Sequence, residues 1–190
     1  MLEFGAQCVY TPMDDFCLKF NITNEWNKIK LPAFKSYLEK IGVSHTSIDL
    51  NGKHGSLQKD ITGDLKYLGK FDILTNFGSS EHVAPLSTQY KCFKNFHQLC
   101  KVGGYMIHYV PPVGKWINHA PAHYYNDFFI QLGKANNYKT IYYEEMDVSN
   151  LISIIFQKQE DNTFMEEKDF PLKYIKWKNN NLYKGNYDKK

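Results

Sequence analysis

Short apolar runs alternate with stretches of helical periodicity along the 190 residues. Met1–Phe4 reads as the end of a strand stopped by Gly5. Leu31–Ile41 puts Phe34, Tyr37, Leu38 and Ile41 at i, i+3, i+4 and i+7, a helical face, and Gly42 ends it. Ser44–Leu50 reads as a strand ending at Asp49. The turn Asn51-Gly52 and then Gly55 lead into a second short strand, Ser56–Ile61. Phe71–Asn76 is a further strand. Pro85–Cys100 reads as a helix with Phe93, Phe96, Leu99 and Cys100 on one face, and Pro suits its first turn. Gly103–Val110 is a strand stopped by Pro111-Pro112, and Tyr124–Ala135 a helix with Tyr125, Phe128, Phe129 and Leu132 aligned. Tyr138–Met146 and Leu151–Gln157 are two more strands. The gap between them, Asp147–Asn150, is too short for a crossover helix and predicts an antiparallel hairpin.

Strands alternating with helices predict an α/β sheet covered on both faces, made mixed by the closing hairpin. After residue 160 the periodicity is lost. The chain therefore divides into a folded region, 1–160, and a segment 161–190 made of a polar loop (Asp161–Asp169), a docked stretch (Phe170–Trp177) and a mobile tail (Asn179–Lys190). A hydrophobic content of 43% with 16% aromatic residues excludes a disordered chain. No run of about 18 apolar residues is present, so no membrane span is expected. The start, MLEFGAQCVY, lacks a basic region followed by an apolar core, which predicts a cytoplasmic protein.

Charge and cysteines narrow the field. Lys173–Lys190 holds six Lys and one Asp, so the net +3 of the chain belongs to its tail. Every basic residue is Lys. Without the forked guanidinium of Arg, sequence-specific nucleic-acid recognition is disfavoured. Cys8, Cys17, Cys92 and Cys100 form no CxxC and no zinc-like spacing with His, which predicts reduced, packed thiols.

Ligands of open α/β sheets bind beyond the carboxyl ends of the strands. That rule selects Gly5, Ala6 and Gln7; Asp49; Asp60; the run Asn76–His82; and, after Pro111-Pro112, His119 and His123. Asp49 has two readings: an acceptor for both hydroxyls of a ribose, or a cap for the turn at Asn51-Gly52. Neither GxGxxG nor GxxxxGK[ST] occurs. No metal is expected, because a site from Glu81, His82, His119 and His123 needs three segments to converge.

Glu3-Phe4-Gly5-Ala6, Ser47-Ile48-Asp49-Leu50, Asp60-Ile61-Thr62, Phe71–Gly78 and Val102–His108, taken in order, resemble the class I S-adenosylmethionine-dependent methyltransferases over residues 1 to about 157. The resemblance implies a Rossmann-like three-layer sandwich with a mostly parallel seven-stranded sheet whose last strand is antiparallel. It implies S-adenosyl-L-methionine as cofactor. Glu3, Gly5, Ala6 and Gln7 would flank its methionine part, Asp49 and Leu50 its ribose, Asp60 and Ile61 its adenine, and Asn76, Phe77 and Gly78 its reactive end. Two departures stand out. Gln7 stands where the family's loop has a second glycine, and could hydrogen-bond the methionine carboxylate. The first strand also begins at Met1, where the family has helical sequence, so an exposed sheet face and a covering partner or second copy are expected.

His82, His119 and Glu81 are the candidate catalytic groups. Transfer to oxygen or nitrogen needs a base, and His is the usual one near neutral pH. His108 reads as a satisfied core residue, and His45, His54 and His97 as surface residues. Trp116, His123 and Tyr124 are candidate acceptor-binding residues, while Phe128 and Phe129 read as a buried helix stripe. The expected activity is methylation of a small-molecule or glycan-precursor acceptor at O or N. The alternative is a methyltransferase-fold protein of weak activity that binds nucleotide or a partner protein. A nucleic-acid methyltransferase is disfavoured, since no Asn-Pro-Pro-Tyr-like tetrad accompanies the missing Arg.

Overall fold

The computed structural model describes residues 1–8, 13–21, 23 and 33–178. The tail predicted over 179–190 lies outside them, as do residues 31 and 32 of the first predicted helix. In chain order the elements are β1 (Leu2–Phe4), α1 (Met13–Phe20), α2 (Phe34–Lys40), β2 (Thr46–Asp49), β3 (Leu57–Gln58), β4 (Phe71–Phe77), α3 (Gln89–Leu99), β5 (Cys100–Val110), β6 (Ala122–Tyr124), α4 (Asn126–Ala135), β7 (Tyr138–Glu144), β8 (Ile152–Lys158) and β9 (Ile175–Trp177).

Seven strands form one sheet in the order β3-β2-β1-β4-β5-β8-β7. The first five run parallel, β8 is antiparallel to β5, and β7 and β8 form the hairpin that the four-residue gap predicts. Connections from β1 run one way along the sheet and those from β4 the other. Right-handed crossovers therefore place α2 and α3 on opposite faces. The α3 side carries the core. Alternate residues of the strands, Leu2, Phe4, Leu74, Met106, Val110, Ile154 and Phe156, meet Phe93, Phe96, Phe128, Phe129 and Leu132 of the helices. His108 lies in this core as expected, its Nδ1 3.1 Å from Asn76 Nδ2, and burial pushes its pKa down to about 3.

Toward β7 the other face is open. Tyr105 is 37% exposed, Tyr142 46% and Ile141 45%, and nearly every residue of β7 is exposed. No helix of the described residues is long and apolar enough to cross a membrane.

Several expectations are corrected. The stretch Phe170–Trp177 docks on the fold as expected, but the segment 161–169, read as a polar loop, also sends a side chain into the core. Phe164, Phe170 and Ile175 are buried in the core cluster, and β9 pairs with β6. The helix predicted from Tyr124 starts at Asn126, because Ala122–Tyr124 is taken up by that second, two-stranded sheet. His97 is not a surface residue: it is 2% exposed, 2.8 Å from the Tyr138 hydroxyl and 2.7 Å from the Asn162 carbonyl. His45 is likewise buried, 3.5 Å from the Glu3 carboxylate. His54 is exposed, as expected. Cys17, Cys92 and Cys100 are buried and Cys8 is partly exposed.

Candidate functional site

The strand order reverses between β1 and β4, and a cleft of about 430 Å³ opens there, beyond the carboxyl ends of the strands. Gly5, Gln7, Asp49, Leu50, Asp60, Ile61, Gly78 and His82 line it, together with Ser79 and Thr62.

The loop after β1 turns on Gly5, whose φ of +83° only glycine adopts freely. A Cβ there would sit 2.1 Å from Ser79 Oγ, which donates to the Phe4 carbonyl at 2.5 Å. The loop is thus clamped from the β4 side by a residue that sequence reasoning placed only at a strand end. Below the loop, Glu3 is buried outside the cleft, where its Oε2 accepts from the Gln7 N–H at 3.3 Å. It builds the loop from beneath. The Gln7 side chain donates to the Phe77 carbonyl at 2.8 Å, so its amide is committed to bridging β1 and β4.

Asp49 joins two turns while lining the cleft. One oxygen accepts from the Ala6 N–H at 3.2 Å and the other from Asn51 N–H at 3.0 Å. Asp60 caps its own turn, its Oδ1 accepting from Thr62 N–H and Oγ1, both at 2.8 Å. Leu50, 57% exposed, and Ile61 supply apolar surface at the same end.

Further candidates besides Glu3 fall outside the cleft. Asn76 faces the α3 side, where its Nδ2 donates to Ser80 Oγ and its Oδ1 accepts from Ser80 N–H, holding the turn that follows β4. Tyr124 is fully buried, its hydroxyl 2.8 Å from Ser80 Oγ and 2.9 Å from Gln89 Oε1. It therefore cannot bind an acceptor, and burial pushes its pKa well up. His123 is buried, with Nε2 3.1 Å from the Trp116 carbonyl. Phe77 is not among the residues that line the cleft; its carbonyl accepts from Gln7 Nε2 and its ring packs edge-on to Tyr109.

At the cleft mouth a convergence that the sequence was not expected to produce does occur, for three of the four residues Glu81, His82, His119 and His123. Ser80–His82 form a 3₁₀ turn after β4, and His119 comes from the loop between β5 and β6. Glu81 Oε1 is 3.9 Å from His82 Nε2 and 3.7 Å from His119 Nε2, and the two rings stand 5.0 Å apart. Glu81 is fully buried and neither oxygen has a hydrogen-bond partner. Burial lowers the His82 pKa, whereas the neighbouring Glu81 carboxylate raises that of His119. Trp116 packs its ring 5.4 Å from His119 and is tied to the β7–β8 turn through Nε1 and the Ser149 carbonyl.

No protein-family model and no curated protein matches the chain. Solved structures do. The N-methyltransferase NodS of Bradyrhizobium japonicum WM9, in complex with S-adenosyl-L-homocysteine, matches with a TM-score of 0.55 at 12% identity over 84% of this chain and 77% of that one. The O-methyltransferase from a trans-AT PKS multienzyme of Brevibacillus brevis, in complex with the same compound, gives 0.51 at 9% over 91% and 71%. TehB from Haemophilus influenzae gives 0.50 at 14% over 65% of this chain, which spans only 53% of that protein. Together with the strand order and the antiparallel final strand, these likenesses identify the fold of this chain as that of the class I S-adenosylmethionine-dependent methyltransferases.

Proposed function

We propose that the protein is an S-adenosylmethionine-dependent methyltransferase acting on a small-molecule or glycan-precursor acceptor at oxygen or nitrogen. The observation that carries this reading is the cradle at the β1–β4 switch point. There a side-chain-free Gly5 and the Asp49 carboxylate, fixed by Ala6 N–H, face one cleft. The cleft volume of about 430 Å³ suits a nucleoside-sized ligand. The likeness in fold to proteins crystallised with S-adenosyl-L-homocysteine supports the same cofactor here.

In this reading Gly5, Ala6 and Gln7 hold the methionine part, Asp49 and Leu50 the ribose, and Asp60 and Ile61 the adenine. Gly78 lies toward the reactive end. Bound there, the cofactor supplies an electrophilic sulfonium methyl. The chain holds the acceptor at the mouth, beside Trp116, and positions it for in-line attack, the main source of rate in a transfer of this kind. The acceptor must lose a proton as it gains the methyl, and the Glu81–His82–His119 cluster supplies the groups that handle it.

The test is a melting-temperature shift and calorimetric titration with S-adenosylmethionine and S-adenosylhomocysteine. One equivalent bound at micromolar affinity, raising the melting temperature by mass action, is expected. No shift with either compound overturns the reading and leaves a methyltransferase-fold binding protein.

A further inference from the structure

The geometry points to a divalent transition-metal site built from Glu81, His82 and His119 at the mouth of the cleft, zinc being the cation that its two nitrogens and one carboxylate oxygen suit best. A buried carboxylate with no hydrogen bond to either oxygen is an expensive group to leave uncompensated. Glu81 is such a group. Among the described residues, the only cluster of three or more metal-ligating side chains is this one, with its ligand atoms all within 4.8 Å of one another.

The distances fit a site that closes on a cation. Metal bonds of about 2.0–2.2 Å to imidazole nitrogen and carboxylate oxygen set ligand atoms roughly 3–4 Å apart. Glu81 Oε1 already lies 3.9 and 3.7 Å from the two Nε2 atoms. The same two contacts are ion-pair distances beyond hydrogen-bond length, so the carboxylate has His119 as a charge partner but no hydrogen bond from either ring. Two His and one carboxylate, with further positions open, is a donor set of catalytic sites and not of closed structural ones. Here the open side is the cleft: His82 lines it and the His119 side chain is 41% exposed.

The proposal deepens the methyltransferase reading, and only its catalytic part rests on that reading. An acceptor hydroxyl entering the open position would have its pKa lowered and release its proton to solvent. The oxygen would then form its bond to the methyl carbon as the sulfonium S–C bond breaks, with no change of metal oxidation state. Metal binding itself needs no cofactor.

The test strips the whole protein with a chelator and titrates it with Co²⁺, read by its visible d–d bands, and with Zn²⁺ in competition with a chromophoric chelator. One equivalent per chain is expected. His119→Ala, at a partly exposed position, should weaken affinity by about 100-fold or more, beyond the 10–100-fold typical of losing an outer-shell partner, with an unchanged circular-dichroism melt of the metal-free protein as the check on folding. His54→Ala, on the exposed surface, should leave it unchanged. Failure to bind a stoichiometric metal, or equal affinity in His119→Ala and the parent, overturns the site. The S-adenosylmethionine melting shift, measured in parallel on the metal-free protein, separates the two readings. Metal without cofactor leaves the site standing and the methyltransferase reading refuted, and cofactor without metal does the reverse.

Discussion

Ser79 Oγ occupies the space into which any side chain at Gly5 would grow, 2.1 Å from where its Cβ would lie. The two residues belong to the loops after β1 and β4, and their contact fixes the mouth of the cleft. Gly5→Ala therefore incurs a steric conflict as well as the strain of φ +83°, the latter roughly 1–2 kcal/mol. Pairing it with Ser79→Ala should recover part of the loss, since the hydroxyl is what clashes. Urea denaturation in a double-mutant cycle measures this. Strictly additive losses would show that Gly5 is needed for its dihedral alone.

Asp49 is expected to serve ligand and loop together. Asp49→Ala should lower S-adenosylmethionine affinity by about 1.5–3 kcal/mol for each ribose hydroxyl that loses a charged acceptor. It should also lower the melting temperature of the ligand-free protein, because Ala6 N–H and Asn51 N–H lose their partners. Calorimetry and thermal melts on the same samples separate the two effects. A lowered melting temperature with unchanged affinity would reduce Asp49 to a turn-building residue.

Tyr124→Phe tests the reassignment of a residue that the sequence placed at the acceptor. Its hydroxyl links Ser80 and Gln89 inside the core. Leaving those groups underpaired should cost about 1–3 kcal/mol of stability. Cofactor affinity should stay within twofold of the parent, and a larger change would return Tyr124 to the site.

The errors and successes of sequence reading follow one physical line. Asp49 and Gly5 were legible because a strand end fixes where a side chain emerges, and the β7–β8 hairpin because four residues cannot span a crossover. Tyr124, His97 and His45 were not, since a polar residue is buried only when a distant partner receives it. For His97 the partners are Tyr138 and Asn162, about 40 and 65 residues away. Phe164 and Phe170 gave no periodic signal, because they reach the core singly from a loop. The meeting of Glu81 with His119 depends on how the β5–β6 loop folds back, which no local spacing encodes.

Two core histidines predict acid sensitivity. Burial pushes His97 down to about 4 and His108 to about 3. Phe93, Phe96, Phe129, Phe156 and Asn76 face His108. Around His97, Lys158 and Lys70 oppose its charging and Asp161 favours it, both smaller influences than burial. The folded state therefore keeps both rings neutral while the unfolded chain takes up protons below about 6.5. Their contribution is complete above that pH and fades as pH falls toward 4 and 3, with a slope of at most about 1.4 kcal/mol per pH unit for each ring. Asp161, held down to about 2 by Lys70 and Lys158, is lost in the same direction at lower pH. Urea midpoints from pH 8 to 4.5 should be flat above 7 and fall below 6.5. A flat profile to pH 5 would contradict neutral buried rings.

The segment after residue 160 should prove indispensable up to Lys178. Phe164, Phe170 and Ile175 are each at most 6% exposed, and β9 closes a sheet with β6 through Ala122, His123 and Tyr124. Burying one such side chain contributes about 1.5–3 kcal/mol. Losing three removes an amount comparable to the whole stability of an ordinary domain, about 5–15 kcal/mol. A chain ending at residue 160 should thus lose its cooperative melt. One ending at Lys178 retains every described contact and should melt within a few degrees of the parent. Circular-dichroism melts of the two truncations decide the matter. A cooperative transition in the shorter chain would mean that α3, α4 and the seven-stranded sheet hold the core without these aromatics, and that the boundary at residue 160 is a true edge of the fold.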